Sequence, residues 1–324
     1  MSRPTAALPH GVVRNGRRTA APPRNRISSG RILSGRILPA RISAGLLLPW
    51  VLVGATVLVQ IVYPLTPGSL RTEVTVTSVL VFCAASLADA ARVHGFRGPA
   101  VLLAVAGGGG LLVEAVGVHT GVPFGPYTYT GDLGAEVLGV PAVVPLAWTM
   151  MAWPALVVGR TLARRLPVAV DRAVRRRPVG GHDLTALSRS RTALVGGLAL
   201  AAWDLFLDPQ MVDAGHWTWA HPDPGLPLVP GVPLTNYGGW VVVSVVMVGV
   251  LDRLLPRHSG PSGPAAALYL WTYGSSVLAH VVFFGRPGSA LVGGLLMGAL
   301  ALPFARAVWT SAVRAQSAGH AQSA

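Results

Sequence analysis

The sequence predicts an all-α fold, a polytopic integral membrane bundle of about eight transmembrane helices. Three observations carry this reading. Apolar residues make up 52% of the 324-residue chain, and mean hydropathy is +0.54. Windows of about 20 residues recur with little or no charge, long enough to cross a hydrocarbon core as helices. The segments between them are mostly short, so the chain reads as one bundle whose helices satisfy their own backbone, as lipid requires.

The spans fall at roughly 44–63, 74–93, 98–118, 137–162, 191–208, 233–251, 264–285 and 288–309. A long basic lead precedes the first, unlike a cleaved signal peptide, so that span reads as a retained anchor. Arg17-Arg18 lacks the apolar run a twin-arginine signal needs, since none follows for about 25 residues. The second span carries the lone Cys83, which leaves no disulfide framework and no thiolate metal site. Asp89 and Arg92 at its end read as a structural pair. The third has glycine at every position of 107–110, suited to close helix contact or to a groove for a flat ligand. Without a flanking strand or a P-loop lysine that run is no phosphate cradle. The fourth includes AWTMMAWPA, whose Trp148 and Trp153 are expected to line a hydrophobic channel. Two aspartates end the fifth, an Asn-Tyr pair opens the sixth, His280 lies in the seventh, and a small polar tail follows the eighth.

Residues 44–310 therefore form the membrane domain, between a basic arm at 1–43 and a tail at 311–324, both expected to be disordered. The arm contains a tandem pentad, RISSG-RILSG-RILPA-RISAG. A period of five steps about 140° around a helix, so these arginines do not line one face. The longest inner connection, 163–190, holds Arg175-Arg176-Arg177 followed by PVGG and reads as a flexible basic connector.

Every one of the 26 basic residues is arginine. With a cytoplasmic N-terminus, 24 of them fall on the inner side and only Arg71 and Arg286 on the outer. The net charge of +14 is thus a topology signal with contact to anionic lipid, and no nucleic-acid partner is expected. The reading is a multi-pass protein of the cell membrane with both termini cytoplasmic.

The stretch 203–240, WDLFLDPQMVDAGHWTWAHPDPGLPLVPGVPLTNYGGW, concentrates the chemistry. It holds four aspartates, two histidines, four tryptophans and Asn236-Tyr237 in a chain only 12% charged. Carboxylates near a membrane helix end are costly unless paired, protonated or used. Asp204 and Asp208 are spaced i,i+4 and share a helical face; Pro209 is expected to stop that helix. Glu114 and His280 reach a similar depth on two other spans, so Glu114, Asp204, Asp208 and His280 are the candidate catalytic residues. Asp208 also fits a carboxylate that snorkels to the headgroups, and His280 a satisfied core imidazole as well as a proton relay. His216, His221, Asp213 and Asp223 match no metal-ligand spacing, and no metal is expected. Trp148, Trp203, Trp217, Trp219, Asn236 and Tyr237 are the candidate substrate contacts. Trp217, Trp219 and Trp240 equally suit an interfacial belt, while an aromatic face can also stabilise a carbocation.

Two blocks, GVPFGPYTYTGDLG…VLGVPAVVPLAW at 121–148 and AWDLFLDPQMVDAGHWTW…GVPLTNYGGW at 202–240, resemble the membrane carotenoid-biosynthesis family of the bisanhydrobacterioruberin and gamma-carotene hydratase type. The resemblance covers roughly 45–310 and leaves out the arm and the tail. It implies an integral membrane enzyme that adds water to the terminal isopropylidene double bond of a linear carotenoid, giving a tertiary alcohol. The implied partners are that carotenoid, membrane lipid and other enzymes of the same pathway.

The residues suit such chemistry independently. Hydrating a trisubstituted alkene needs an acid, a surface that stabilises a tertiary cation, and a base that holds water; no cofactor is called for. Desolvation keeps a buried carboxyl protonated and able to donate, and an ionised neighbour can take the proton from water. The Asp204–Asp208 pair with Glu114 supplies these parts, in an order the spacing leaves open. Two rivals remain. DLFLD is a D-x-x-x-D pattern of the kind by which a UbiA-type membrane prenyltransferase holds magnesium diphosphate, although no second acidic cluster faces it. A non-catalytic carrier of lipid or carotenoid would use the same acids and aromatics for binding alone.

Reporter fusions after about residue 130 and after about residue 225 are expected to report the outer side of the membrane. Cytoplasmic signals from both would overturn the arginine-based topology.

Overall fold

Backbone in hydrocarbon has no water to bond, and helices close nearly every bond within the segment. The structure, a computed structural model, describes residues 44–165, 181–258 and 260–323. The basic arm at 1–43 and the triple arginine at 175–177 lie outside the described residues. Among those described, eight helices are long and apolar enough to cross a membrane. They are α1 (Ala44–Val62), α2 (Gly68–His94), α3 (Arg97–Thr120), α4 (Val143–Ala163), α5 (Gly181–Asp213), α6 (Leu234–Leu254), α7 (Gly263–Val282) and α8 (Pro287–Ser323). The all-α membrane bundle expected from the sequence is the fold observed.

Helix α4 is the central post, with 83% of its apolar window buried against 17% for α1. It packs on α2, α5, α6, α7 and α8. Small residues permit the closest approaches. A Cβ at Gly159 would lie 2.6 Å from the Thr192 carbonyl oxygen, and one at Gly197 only 2.5 Å from Val245 Cα. Such spacing lets α4, α5 and α6 approach backbone to backbone. Helix α3 contains a π-turn, Leu103–Gly108, where its glycine run lies. A Cβ at Gly110 would sit 2.8 Å from the Trp148 ring. Of the two roles open to that run, close helix contact is the one observed, and it seats Trp148 against α3.

Several boundaries differ from the sequence reading. Helix α2 begins at Gly68 instead of 74, and α5 begins at Gly181 instead of 191, so residues 181–190 of the expected flexible connector are helical. Residues 136–141 precede α4 as a hairpin, β2 (Glu136–Val137) with β3 (Val140–Pro141). Leu138 and Gly139 turn it with φ of 56° and 76°, two positive values that close a two-residue hairpin. Helix α5 passes through Pro209 to Asp213, because a proline near the last turn forfeits few bonds. Amides of Ala214, Gly215 and His216 then close onto the carbonyls of Gln210, Val212 and Met211. Helix α7 ends at Val282, a few residues short of the span expected. Helix α8 runs on through the expected tail to Ser323; extension from an existing helix needs no new nucleus, and its alanines favour it.

The connections 121–142 and 214–233 fold over one end of the bundle. Strand β1 (Tyr127–Tyr129) pairs antiparallel with β4 (Trp217–Trp219), in the register Tyr127 to Trp219 and Tyr129 to Trp217. Strands β5 (Gly225–Leu226) and β6 (Val229–Pro233) form a second ribbon that leads into α6. At the other end the arginines gather. Asp252 holds Arg160 at 2.8 Å and Arg257 at 2.6 Å, and Arg160 also donates to the carbonyls of Leu255 and Pro256. Asp89 pairs with Arg92 at 2.8 Å and accepts the Trp153 indole N–H at 2.8 Å, as befits a structural carboxylate. Trp153 therefore belongs to that end and does not share the channel of Trp148.

Gly197→Val is expected to lower stability by about 1–3 kcal/mol through overpacking against α6, seen as a lower melting temperature in detergent. Gly274→Ala, where nothing lies within 4 Å, is the matched control and should melt unchanged.

Candidate active site

On α5 the i,i+4 spacing brings Asp204 and Asp208 together, 0% and 3% exposed and within hydrogen-bonding reach of one another. Asn236, in the first turn of α6, spans them: its Nδ2 donates to Asp204 Oδ2 at 2.9 Å and to Asp208 Oδ2. Asp208 also interacts with Trp217. Asp204 Oδ1 is buried without a partner. Two N–H groups from one amide cannot satisfy two adjacent carboxylates, so a proton shared within the pair completes the arrangement. Asp208 faces inward, away from the headgroups to which a snorkelling carboxylate would point, with Asp204 behind it.

Glu114 of α3 sits within electrostatic reach of this pair and is also buried. Its carboxylate accepts from the hydroxyl groups of Tyr127 and Tyr129, the latter at 2.9 Å, and from the Trp148 indole N–H at 2.9 Å. Every polar neighbour is a donor, which suits an ionised, acceptor-only carboxylate. Alternation along a strand puts Tyr127 and Tyr129 on one face of β1, and pairing with β4 aims both at α3. Burial first, and then the Glu114 charge, push both phenols above their ordinary range, so they remain donors at neutral pH and well above it.

An aromatic wall joins the two acid centres. Trp148 and Trp240 stack with ring centroids 4.0 Å apart and 14° between planes, and Trp203 meets Trp240 edge-on at 6.1 Å. Phe124 packs on both stacked rings, and its carbonyl accepts the Trp219 indole N–H at 2.9 Å. Trp217, Trp219 and Trp240 are all buried and face this interior; they do not form a belt. The cavity they line has about 1310 Å³ of non-atom space, counted together with the open space at its mouth. Glu114, Asp208, Asn236, Trp148, Trp203, Trp217 and Trp219 line it, and α1, α2 and α7 add Gln60, Ser78 and Ser276 beside apolar residues such as Val79, Phe82 and Ala279.

Two candidates stand outside this wall. His280 is fully buried with its ring nitrogens 2.8 Å from the Ser276 carbonyl and 3.1 Å from that of Phe206. Its ring packs edge-on against Phe206 and Phe284, and both nitrogens face carbonyl oxygens, to one of which a neutral ring donates. The Tyr237 hydroxyl is buried without a partner behind the acid pair. Asp213 is engaged by Arg286 at 2.6 Å. Tyr127, Tyr129, Phe124 and Trp240 complete the site without being among the sequence candidates. The two tyrosines have a signal in the alternation PYTYTG, an aromatic at every second position ahead of a turn.

The family described as carotenoid biosynthesis protein matches residues 73–297. Bisanhydrobacterioruberin hydratase of Haloarcula japonica is 34% identical over 140 residues, which cover 43% of this chain. The chain spans 40% of the length of that relative. No solved structure matches.

Tyr127→Phe removes one of three donors from a buried carboxylate and is expected to cost about 1.5–3 kcal/mol of stability. Calorimetry in detergent checks this against His221→Ala at an exposed position, which should leave the transition unchanged.

Proposed function

This chain belongs to the carotenoid biosynthesis protein family, and on that premise we propose that it adds water to the terminal isopropylidene double bond of a linear carotenoid, without a cofactor. The observation that carries the reading is one cavity lined by Asp208, whose carboxyl is paired with Asp204 behind it, by Glu114, whose hydrogen-bond partners are all donors, and by the stacked rings of Trp148 and Trp240. Asp208 gives its proton to the less substituted alkene carbon. The π bond breaks, a C–H bond forms and a tertiary cation develops on the carbon bearing the two methyl groups. The faces of Trp148 and Trp240 stabilise that charge, as aromatic quadrupoles do for cations. Water attacks the cation, a C–O bond forms and Glu114 takes the released proton. Return of that proton to the Asp204–Asp208 pair closes the cycle, so the net change is one water per end group. Asp204 and Asn236 act on Asp208, holding its orientation and proton.

The same reading puts the enzyme in the cell membrane with both termini cytoplasmic, fed by carotenoid from the bilayer and working beside other enzymes of the pathway. The hydratase relative supports the reaction type.

Membranes given a linear carotenoid with an unsaturated end are expected to gain one water mass per end, with the label arriving from oxygen-18 water. Label from molecular oxygen would mean a hydroxylase. A five-carbon gain requiring prenyl diphosphate and magnesium would mean a prenyltransferase, and unchanged end groups would mean a carrier.

Asp208→Asn and Glu114→Gln keep shape and remove the proton chemistry, so each is expected to slow product formation by about 100- to 10,000-fold with folding retained. Pigment mass spectra from cells expressing each variant give the measurement; product near the wild-type level from both would remove these carboxyls from the mechanism.

A further inference from the structure

At the opposite end of the bundle from the acid cavity lies a second cavity, with about 620 Å³ of empty space. Arg92, His94, Arg160, Arg164, His258 and Ser262 are among its lining residues. The geometry points to an anion site that takes a phosphate group, either from a lipid headgroup or from a soluble phosphate. Three observations on this chain converge on it, and none depends on the hydration chemistry.

Positive charge in this cavity exceeds what the nearby carboxylates balance. Asp89 is matched by Arg92, and Asp252 is shared between Arg160 and Arg257. Arg164 bonds only to carbonyl oxygens, through Nε to Arg160 at 3.1 Å and through Nη2 to His258 at 2.8 Å. Among the described residues no carboxylate pairs with it. A guanidinium with a free edge in a recessed basic cavity is the group that recognises phosphate oxygens.

The second observation is His94, whose Nε2 is buried without a hydrogen-bond partner. The ring stands edge-on to Trp153 at 5.6 Å, and the charges that bear on it include Arg160, Arg97 and His258. Asp89, which also acts on the ring, is already matched by Arg92; in the tautomer with its proton on Nε2 the ring offers a donor without an acceptor, which an anion supplies. The third is the start of α7, a 20-residue helix whose Gly263 lines the cavity. Ser262, at the capping position, gives its hydroxyl proton to Asp89 and leaves the first amides of the helix without a side-chain cap. Pro264 has no N–H, so the Gly263 amide and the positive end of the helix dipole are what this helix start brings to the arginines. An anionic lipid brings its phosphate to the end of the bundle, and a soluble phosphate reaches it from the aqueous side; the recognition chemistry is the same.

The test uses the full chain in discs of phosphatidylcholine, read by melting temperature. Inorganic phosphate is titrated against sodium chloride of matched ionic strength, and separately part of the phosphatidylcholine is replaced by phosphatidylglycerol. Arg164→Gln is expected to weaken the response about tenfold, the loss of one charge-assisted contact. His94→Phe keeps the ring and removes the N–H, and serves if the arginine variant folds poorly. Arg306→Gln, an exposed position outside this cavity, should respond as wild type. A gain from phosphatidylglycerol alone identifies a lipid headgroup site, and a gain from inorganic phosphate identifies a soluble phosphate site. No gain beyond the chloride control in either arm, or the same response from Arg164→Gln, His94→Phe and Arg306→Gln, overturns the proposal.

Discussion

A carboxylate taken out of water must be given donors by the protein or keep its proton, and this constraint organises the site end of the molecule. Asp204, Asp208 and Glu114 are all buried, yet the fold treats them differently. Glu114 receives three donors from two different chain segments, while the two aspartates share the amide of Asn236, with Trp217 beside Asp208 alone. On the proposed function, this difference in donor supply is what makes Glu114 the proton acceptor and the aspartate pair the proton holder. Features that look incidental follow from it: the short ribbon of β1 and β4 exists where two phenols must be aimed, and α6 begins where an amide must reach α5.

The bundle is polar at both ends but in opposite senses. Carboxyls and tryptophans gather under the ribbons at one end, and arginines gather around Asp89 and Asp252 at the other. Close glycine contacts among α4, α5 and α6 hold the two ends in a fixed relation. Rigid helices thus carry the site residues, a better base for sub-ångström placement than loops would be.

Much of this was legible in the sequence where local spacing carries the information. The eight apolar windows, the shared face of Asp204 and Asp208, and the isolation of Glu114 in apolar sequence follow from helical periodicity and desolvation cost. Asp89 read as structural because Arg92 lies one turn away, and the fold agrees. Partners from distant segments were less legible. Nothing near His280 in sequence announces that the Phe206 carbonyl will meet its second nitrogen. Trp240 opens a span, where an interfacial belt is expected, and only the packing of α6 against α4 turns it onto Trp148. Proline at 209 ends a helix by local preference, yet the amides after it found carbonyls and the helix continued. Tyr127 and Tyr129 had a period-two signal, weak because it lasts only three residues.

The central claim is the division of labour between the aspartate pair and Glu114. Infrared spectroscopy of the protein in lipid, with aspartate and glutamate carbons labelled separately, reads it through the stretch of a protonated carboxyl. The account predicts one protonated aspartate signal at neutral pH, absent from Asp208→Asn and unchanged in Glu114→Gln, with no protonated signal from Glu114. A protonated glutamate signal that disappears in Glu114→Gln while the aspartates remain ionised would contradict it.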